Sequence, residues 1–458
     1  MRRLPIPLSA LLALPALAEP PAAPPTAEDF RALERRVKQL EAKVAPPPET
    51  KRTLDVTEPP FGEFDFSWMN GTNPQPPSLL VTGPVTWSLY VDAYYAWQFH
   101  APLDHTIFPP TTAPRHNGLS LNLAHIGMDL TGLDGPIGRL YIQYGSIVET
   151  IAGQDTTTTR GFFLTNRLLQ YVEQAAVGWH FHALHGINAE AGIFPSYVGL
   201  ESYLPEENWS YTHSFVADAT PYYFFGGRLQ LFPTARFKLE LWVVNGWQTF
   251  GEWHEARAGG YLWNWRQREW LSLVNSIYVG QEARGDPSSL RVYTDNNLQV
   301  RYYKGRSRFL RSLAFSLVAD AGYEHRGNAP SGFIVGAALS HRFEWTTRWK
   351  STIRGDLLYD QTQAISPKFP VGAAYPWLGT NPFLAGGVSA TIDFWPSPWL
   401  LTRLEYSHRE ANQPIFSGPN GITGPNGQLP TTPEATMSFT PDLRPRDDRV
   451  IVNATLRL

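Results

Sequence analysis

The last eleven residues, "DRVIVNATLRL" (448–458), alternate between apolar and polar side chains with a period of two. One set of alternate positions holds Val450, Val452, Ala454, Leu456 and Leu458. The intervening set is polar except for Ile451. Successive side chains of a β-strand point to opposite faces of the sheet, so the pattern predicts a strand with one apolar face. Such a strand needs a partner, because a free edge invites aggregation.

The same alternation recurs along the chain from Trp87 onwards. It is clearest in "WSLYVDAYYAW" (87–97), "AHIGMDL" (124–130), "RLYIQYG" (139–145), "FKLELWVV" (237–244), "LAFSLVADAGY" (313–323), "WKSTIRGDLLY" (349–359) and "LAGGVSATIDFW" (384–395). The connections are short and long in turn, about seven turns and eight long loops, which is typical of an outer-membrane barrel. The sequence therefore predicts an all-β protein, a transmembrane antiparallel β-barrel of about 16 strands. Its last strand would close the barrel against the first, near 87–97.

The N-terminus predicts export. Arg2 and Arg3 precede the apolar stretch "LPIPLSALLALPALA" (4–18), which ends in small residues as secretory signals do. We therefore expect a signal peptide at 1–18, a proline-bounded periplasmic linker at 19–60 and the barrel domain at 61–458. An even strand number places both ends of the barrel on the periplasmic side.

Within the linker, residues 28–44 show the a/d spacing of a short coiled coil. The apolar positions are Phe30, Leu33, Val37, Leu40 and Val44, three and four residues apart. About two heptads are marginal as an isolated helix. Two interpretations stay open, a single amphipathic helix against a neighbour and a helical bundle that joins protomers.

Composition and motifs argue against an enzyme. The 458 residues contain no cysteine, carry a net charge of -3 and include 16 Trp, 20 Tyr and 25 Phe. This charge offers no case for nucleic acid, and no nucleophile signature is present, so we expect no enzyme, no cofactor and no metal. "HFHALH" places His180 and His182 on one strand face, where a weak metal site is the less favoured alternative to polar wall residues.

Several segments make the chain similar to a known family. They are "WMNG" (68–71), "PLDHTI" (102–107), "GINAEAGIFPSYVGLESYLPEENWSYTHSF" (186–215), "TPYYFFGGRLQL" (220–231), "NGWQTFG" (245–251), "TDNN" (294–297) and "EYSHREANQPIFSG" (405–418). With these segments the chain resembles the OmpL-like family of β-barrel porins, over roughly 390 residues. The resemblance implies an outer-membrane pore and leaves its solute open.

The third long loop is the candidate constriction. It follows the fifth strand and is rich in Tyr, Trp and Phe, side chains that gain from burial, so we expect it to fold into the lumen. Its acidic candidates, which would face the pore, are Glu201, Glu206, Glu207 and Asp218. Basic candidates on the lumen wall are Arg228, Arg301, Arg354 and Arg403, of which the last three would oppose the loop. An external cap is the alternative.

The sequence thus predicts an outer-membrane porin whose water-filled channel passes small hydrophilic solutes and ions by passive diffusion. Its expected partners are those solutes, outer-membrane lipid and two further copies of the chain in a homotrimer. Charges of both signs on the lumen face favour no single ion class. The alternatives are a channel selective for one substrate class and a tether that links the outer membrane to the cell wall through the coiled coil.

Overall fold

The computed structural model describes most of the chain after residue 80. The described residues are 28, 35–36, 80–109, 112–130, 133–152, 155, 169–202, 204–234, 236–251, 256–268, 270–282, 286–305, 309–327, 330–362, 382–424 and 439–458. Two compact units divide the chain, Met1–Val56 and Thr57–Leu458.

Sixteen long strands form the wall of the second unit. They are β1 (Val85–Gln98), β2 (Leu119–Leu130), β3 (Pro136–Tyr144), β4 (Val172–Phe181), β5 (Ile187–Pro195), β6 (Tyr223–Thr234), β7 (Phe237–Val244), β8 (Ala258–Arg268), β9 (Leu271–Gly280), β10 (Leu290–Lys304), β11 (Ser312–His325), β12 (Gly332–Glu344), β13 (Trp349–Asp360), β14 (Phe383–Ser397), β15 (Leu400–Ala411) and β16 (Arg446–Arg457).

Shorter elements lie between the long strands. Two helices are α1 (Ser146–Ala152) and α2 (Phe215–Asp218), and a 3₁₀ turn spans Pro205–Glu207. Two-residue strands occur at Val81–Thr82, Phe416–Ser417 and Leu443–Arg444. No helix among the described residues has the length and apolar character needed to cross a membrane.

Each long strand pairs antiparallel with the next one in sequence, and the last pairs with the first. The closing register runs from Arg449 opposite Gln98 to Arg457 opposite Tyr90. Beyond it, the backbones of Leu458 and Leu89 exchange hydrogen bonds of 2.9 and 3.0 Å. The prediction of a closed barrel of 16 strands is confirmed, and the terminal strand leaves no free edge.

The period-two pattern sorts side chains between the two faces of the wall. Apolar side chains such as Ile353 and Val452 are 59% and 49% exposed on the outer face. Polar and charged side chains of the other set are buried inside, which is the arrangement that lipid outside and a polar interior demand. The exception Ile451 lies inside and packs in a cluster with Tyr94 and Tyr211.

The predicted coiled coil lies outside the described residues except for three positions. Glu28, Arg35 and Arg36 are helical. The heptad positions Phe30, Leu33, Val37, Leu40 and Val44 and the predicted signal peptide belong to the part of the chain that is not described.

Candidate functional site

The third long loop lies inside the barrel. We call residues 196–222, between β5 and β6, L3; Tyr203 is outside the described residues. Its aromatic side chains are almost fully enclosed, with Tyr211 and Phe215 0% exposed and Trp209 5% exposed. These rings would be hydrated if the loop projected away from the barrel, and their burial favours the inward fold.

The aromatic rings of L3 pack against apolar side chains of the barrel wall. Leu200, Trp209 and Val216 of L3 cluster with Ala314 and Val318 of β11 and Ala338 of β12. Phe215 belongs to a second cluster that includes wall residues of β13 to β15. L3 starts between β5 and β6, so contacts with β13 to β15 take it across the lumen to strands on the far side.

Glu405 of β15 holds the middle of L3. This carboxylate is 0% exposed and accepts hydrogen bonds from the backbone amides of Tyr211 and Thr212. The Thr212 hydroxyl donates to it as well, at 2.5 Å. Hydrogen bonds to a charged group are stronger than neutral ones, so a single wall residue fixes two consecutive loop residues.

Asp92 of β1 fixes the same stretch from another direction. The Tyr211 hydroxyl donates to its carboxylate at 2.8 Å. Asn122, Asn453 and Thr455 donate to the same carboxylate from neighbouring strands, at 2.8 to 2.9 Å. Burial, together with the charge on Asp92, raises the pKa of Tyr211 well above its usual range, so the hydroxyl stays a donor.

Arg354 and Arg403 bind the backbone of L3. Arg403 donates to the carbonyl oxygens of Pro205 and Asn208 at 2.8 and 2.9 Å, and its Nε donates to Asp393 at 2.6 Å. Arg354 of β13 donates to the carbonyl oxygens of Thr212 and His213, the latter at 3.0 Å. Each planar guanidinium carries five N–H groups and can bind several acceptors at once.

Helix α2, near the end of L3, is bound to the barrel wall at both of its ends. Its first amide, on Phe215, donates to Asp356 of β13 at 2.9 Å. Asp218, the last residue of α2, accepts from Arg409 of β15 at 2.7 Å, and the Arg409 guanidinium lies 3.7 Å from the centre of the Phe215 ring. Each end of the helix is thus joined to the wall by a charge-assisted hydrogen bond.

Two glutamates of the 3₁₀ turn approach Arg457 of the closing strand. The nearest oxygens of Glu207 and Glu206 lie 3.2 and 3.8 Å from its guanidinium. Glu206 is 4% exposed. Burial raises the pKa of Glu206 to about 7, although Arg457 acts in the opposite direction and Glu207 adds to the rise. This carboxyl therefore titrates near neutral pH.

The acidic candidates of L3 all lie inside the barrel, in contact with other groups. Glu206, Glu207 and Asp218 take part in the ion pairs described above. Glu201 lies 3.6 Å from Arg354 and accepts from the backbone amide of Ser214 at 2.8 Å. Glu206 and Asp218 are buried rather than displayed across open water.

The basic candidates divide into two groups. Arg354 and Arg403 contact L3, whereas Arg228 of β6 pairs with Glu190 of β5 at 2.7 Å. Arg301 lies near the short-turn end of β10, where its backbone amide donates to the carbonyl of Trp270 in the β8–β9 turn. Arg409 is a contact of L3 that sequence reasoning missed, although it shares the period-two parity of Arg403.

The histidines of "HFHALH" are engaged with neighbouring side chains. His180 lies 2.7 Å from the side-chain oxygen of Asn188, and His182 lies 2.7 Å from Asp134. In the described parts of the chain, no group of three or more His, Cys, Asp or Glu residues is arranged to hold a metal ion.

Comparison with known families decides the identity. The family model described as "Putative beta-barrel porin-2, OmpL-like" matches residues 84–439, which is more than half of the chain. The chain belongs to this OmpL-like porin family. The resemblance found in the sequence is confirmed, and the barrel is an outer-membrane channel of the porin type.

Solved porin structures resemble the barrel at very low sequence identity. An anion-selective porin from Comamonas acidovorans is 9% identical, with a TM-score of 0.49, covering 82% of this chain and 99% of that one. OmpT of Vibrio cholerae is 7% identical, with a TM-score of 0.47 and coverage of 84% and 100%. OmpF of Salmonella typhi, in complex with daunomycin, is 9% identical, with a TM-score of 0.48 and coverage of 82% and 97%. No curated protein matches the sequence.

Proposed function

We propose that this porin passes small hydrophilic solutes and ions by passive diffusion through a channel that L3 narrows. The observation that carries the proposal is the path of L3, which leaves the wall between β5 and β6 and is bound by Glu405, Arg403 and Arg354 on β13 and β15. Sixteen strands enclose an aqueous lumen, and a loop that crosses it reduces the open cross-section.

Charges of both signs meet at this narrowing, which favours weak rather than strict ion selectivity. Arg403 is offset by Asp393, Asp218 is paired with Arg409, and Glu207 with Arg457. A ring of one sign would exclude ions of that sign. These paired charges form no ring of a single sign.

We expect cation preference to rise as pH increases through 7. Because burial raises the pKa of Glu206 to about 7, this carboxyl is neutral below that pH and negatively charged above it. A negative charge at a constriction attracts cations. Reversal potentials in planar bilayers under a salt gradient, measured across this pH range, should shift towards cations with a midpoint near pH 7.

Glu206→Gln should remove that shift. Glu207→Gln is the matched variant, because it removes a neighbouring carboxylate that also contacts Arg457. It should move the reversal potential towards anions and leave the pH-dependent step in place. A step that survives Glu206→Gln would mean that another group titrates and that Glu206 does not control ion preference.

We further propose that residues 1–18 are a signal peptide, that both ends of the barrel face the periplasm, and that the protein is a homotrimer. An even strand number supports the shared orientation of the two ends. The heptad spacing of Leu33, Val37 and Leu40 supports a contact between protomers.

Replacing Leu33, Val37 and Leu40 with Asp should weaken the oligomer and leave the barrel intact. Charged side chains on an a/d seam cannot be buried between helices without a large desolvation cost. Native mass spectrometry reports the oligomer, and heat-modifiable migration on gels reports the barrel. The control replaces Arg31, Lys38 and Gln39, which lie off the seam, with Asp. A parent protein that is already monomeric would contradict the trimer.

A further inference from the structure

Two aspartates face each other on the inner wall of the barrel. Their strands, β10 and β11, are not the ones that carry the arginines bound to L3. Asp295 of β10 and Asp320 of β11 are directly opposite in the strand register. They are 0% and 5% exposed, and their carboxyl groups lie within hydrogen-bonding reach of each other. Like charges directly opposite in a sheet repel, so this arrangement needs a positive charge or a proton.

The groups that contact these carboxylates are neutral donors in the described part of the chain. The Tyr293 hydroxyl donates to Asp320 at 2.8 Å, and the Asn297 amide donates to Asp295 at 2.7 Å. The backbone amide of Gly199, in L3, lies near Asp295. Arg291, on the same strand as Asp295, donates instead to Glu324 at 2.7 Å. Neutral donors reduce the repulsion but leave the charge of the pair uncompensated.

Four buried oxygen atoms at this place have no hydrogen-bond partner. They are one carboxylate oxygen each of Asp295 and Asp320, the side-chain carbonyl of Asn297 and the hydroxyl of Ser276. Ser276 of β9 is directly opposite Asp295, and Asn297 follows Asp295 by two residues, so all four groups share the inner face. Buried polar atoms are rarely left without a partner in folded proteins, which indicates a ligand or water among these oxygens.

We propose that Asp295, Asp320, Asn297 and Ser276 bind a hard divalent cation such as Ca²⁺ in the channel wall. Carboxylate, amide and hydroxyl oxygens are the ligands that such cations prefer, and water from the lumen completes the coordination. The cation supplies the positive charge that the facing carboxylates lack. Because Gly199 lies near Asp295, the site adjoins the beginning of L3 as well as two neighbouring strands.

Binding to the full-length protein, folded in detergent and stripped with a chelator, tests the site. Isothermal titration with Ca²⁺ should show one saturable phase that Asp295→Asn/Asp320→Asn removes. The control Asp134→Asn/Glu410→Gln makes the same change in charge at exposed carboxylates and should bind like the parent. Equal binding by both double variants, or no saturable phase in the parent, would overturn the site.

Terbium gives a second readout that does not depend on the double variant folding. Tb³⁺ replaces Ca²⁺ at oxygen sites, and Tyr293 is close enough to sensitise its emission because it hydrogen-bonds Asp320. Emission excited through tyrosine should appear in the parent, decline on addition of Ca²⁺, and weaken in Ser276→Ala and Tyr293→Phe. Emission unchanged in both single variants would place the bound ion elsewhere.

A proton shared between the two carboxyl groups is the competing state, and infrared spectroscopy separates it from a cation. A protonated carboxyl gives a carbonyl band that the Asn variants lack. With Ca²⁺ bound, both carboxylates are ionised and the band is absent. A band that persists in the parent at saturating Ca²⁺ would assign the pair to a shared proton and overturn the cation site.

Discussion

Deleting Val450–Leu458 should prevent the barrel from forming. The deletion removes most of β16, whose residues 450–457 pair with Trp97 to Tyr90 of β1. Strand β1 would then carry unpaired N–H and C=O groups into lipid, where each unmet group costs several kcal/mol. We expect the truncated protein to be absent from the outer-membrane fraction and to show no heat-modifiable band on gels, whereas the parent shows both.

Removing Leu458 alone is the graded control for this truncation. Leu458 makes two backbone hydrogen bonds with Leu89 at the very end of the seam, beyond the last residue of β16. Losing them leaves the pairs from Arg449 to Arg457 in place, so this variant should assemble and conduct like the parent. Normal assembly of the nine-residue truncation would contradict closure of the barrel by β16.

The wall of the barrel was predictable from the sequence because its physics is local. Alternation with a period of two assigns each side chain to a face, and the succession of short and long connections sets the strand number. Ile451 is the one residue of the terminal strand that this pattern does not explain. Its apolar character breaks the inner-face pattern, and the structure explains the exception because Ile451 packs beside Tyr211 of L3.

The contacts of L3 were less predictable because they depend on how a long loop folds. Parity places Arg354 and Arg403 on the inner face, yet it cannot show that they donate to backbone carbonyls of the loop. Arg301 has the same parity, yet its backbone amide donates to the carbonyl of Trp270 in the short β8–β9 turn. Distance to the nearest short turn does not separate Arg301 from Arg403, because Arg301 lies three residues before the end of β10 and Arg403 three residues after the start of β15. Which strands L3 crosses decides the contact, and this depends on the fold of the loop.

Glu405 and Asp92 illustrate a further limit of single-sequence reasoning. Both are acidic residues on the inner face, where they resemble any other channel-lining carboxylate. Their role follows from their hydrogen-bond donors in L3. Glu405 accepts from the backbone amide of Thr212, which lies nearly two hundred residues earlier in the chain. Asp92 accepts from the Tyr211 hydroxyl, more than a hundred residues later. Pairings at such sequence separation leave no periodic signal along the chain.

Deleting residues 204–212 from L3 should raise single-channel conductance by about twofold or more, because sixteen strands enclose an aqueous channel when nothing fills them. The deletion removes the 3₁₀ turn and Trp209 and Tyr211, which occupy the lumen. The wall groups that lose their partners, Glu405 and Arg403 among them, would face water rather than a dry core. The barrel should therefore remain folded, and heat-modifiable migration on gels checks that it does.

Single substitutions on β15 test whether attachment of L3 sets the width of the channel. Glu405→Ala removes the acceptor for two loop amides and the Thr212 hydroxyl, so L3 should become mobile and the current noisier, with a higher mean conductance. Glu410→Ala is the matched control, since Glu410 lies on the same strand in an exposed pair with Arg446. Its current in planar bilayers should match that of the parent. If the folded L3 deletion and Glu405→Ala also conduct like the parent, the narrowest part of the channel lies outside L3.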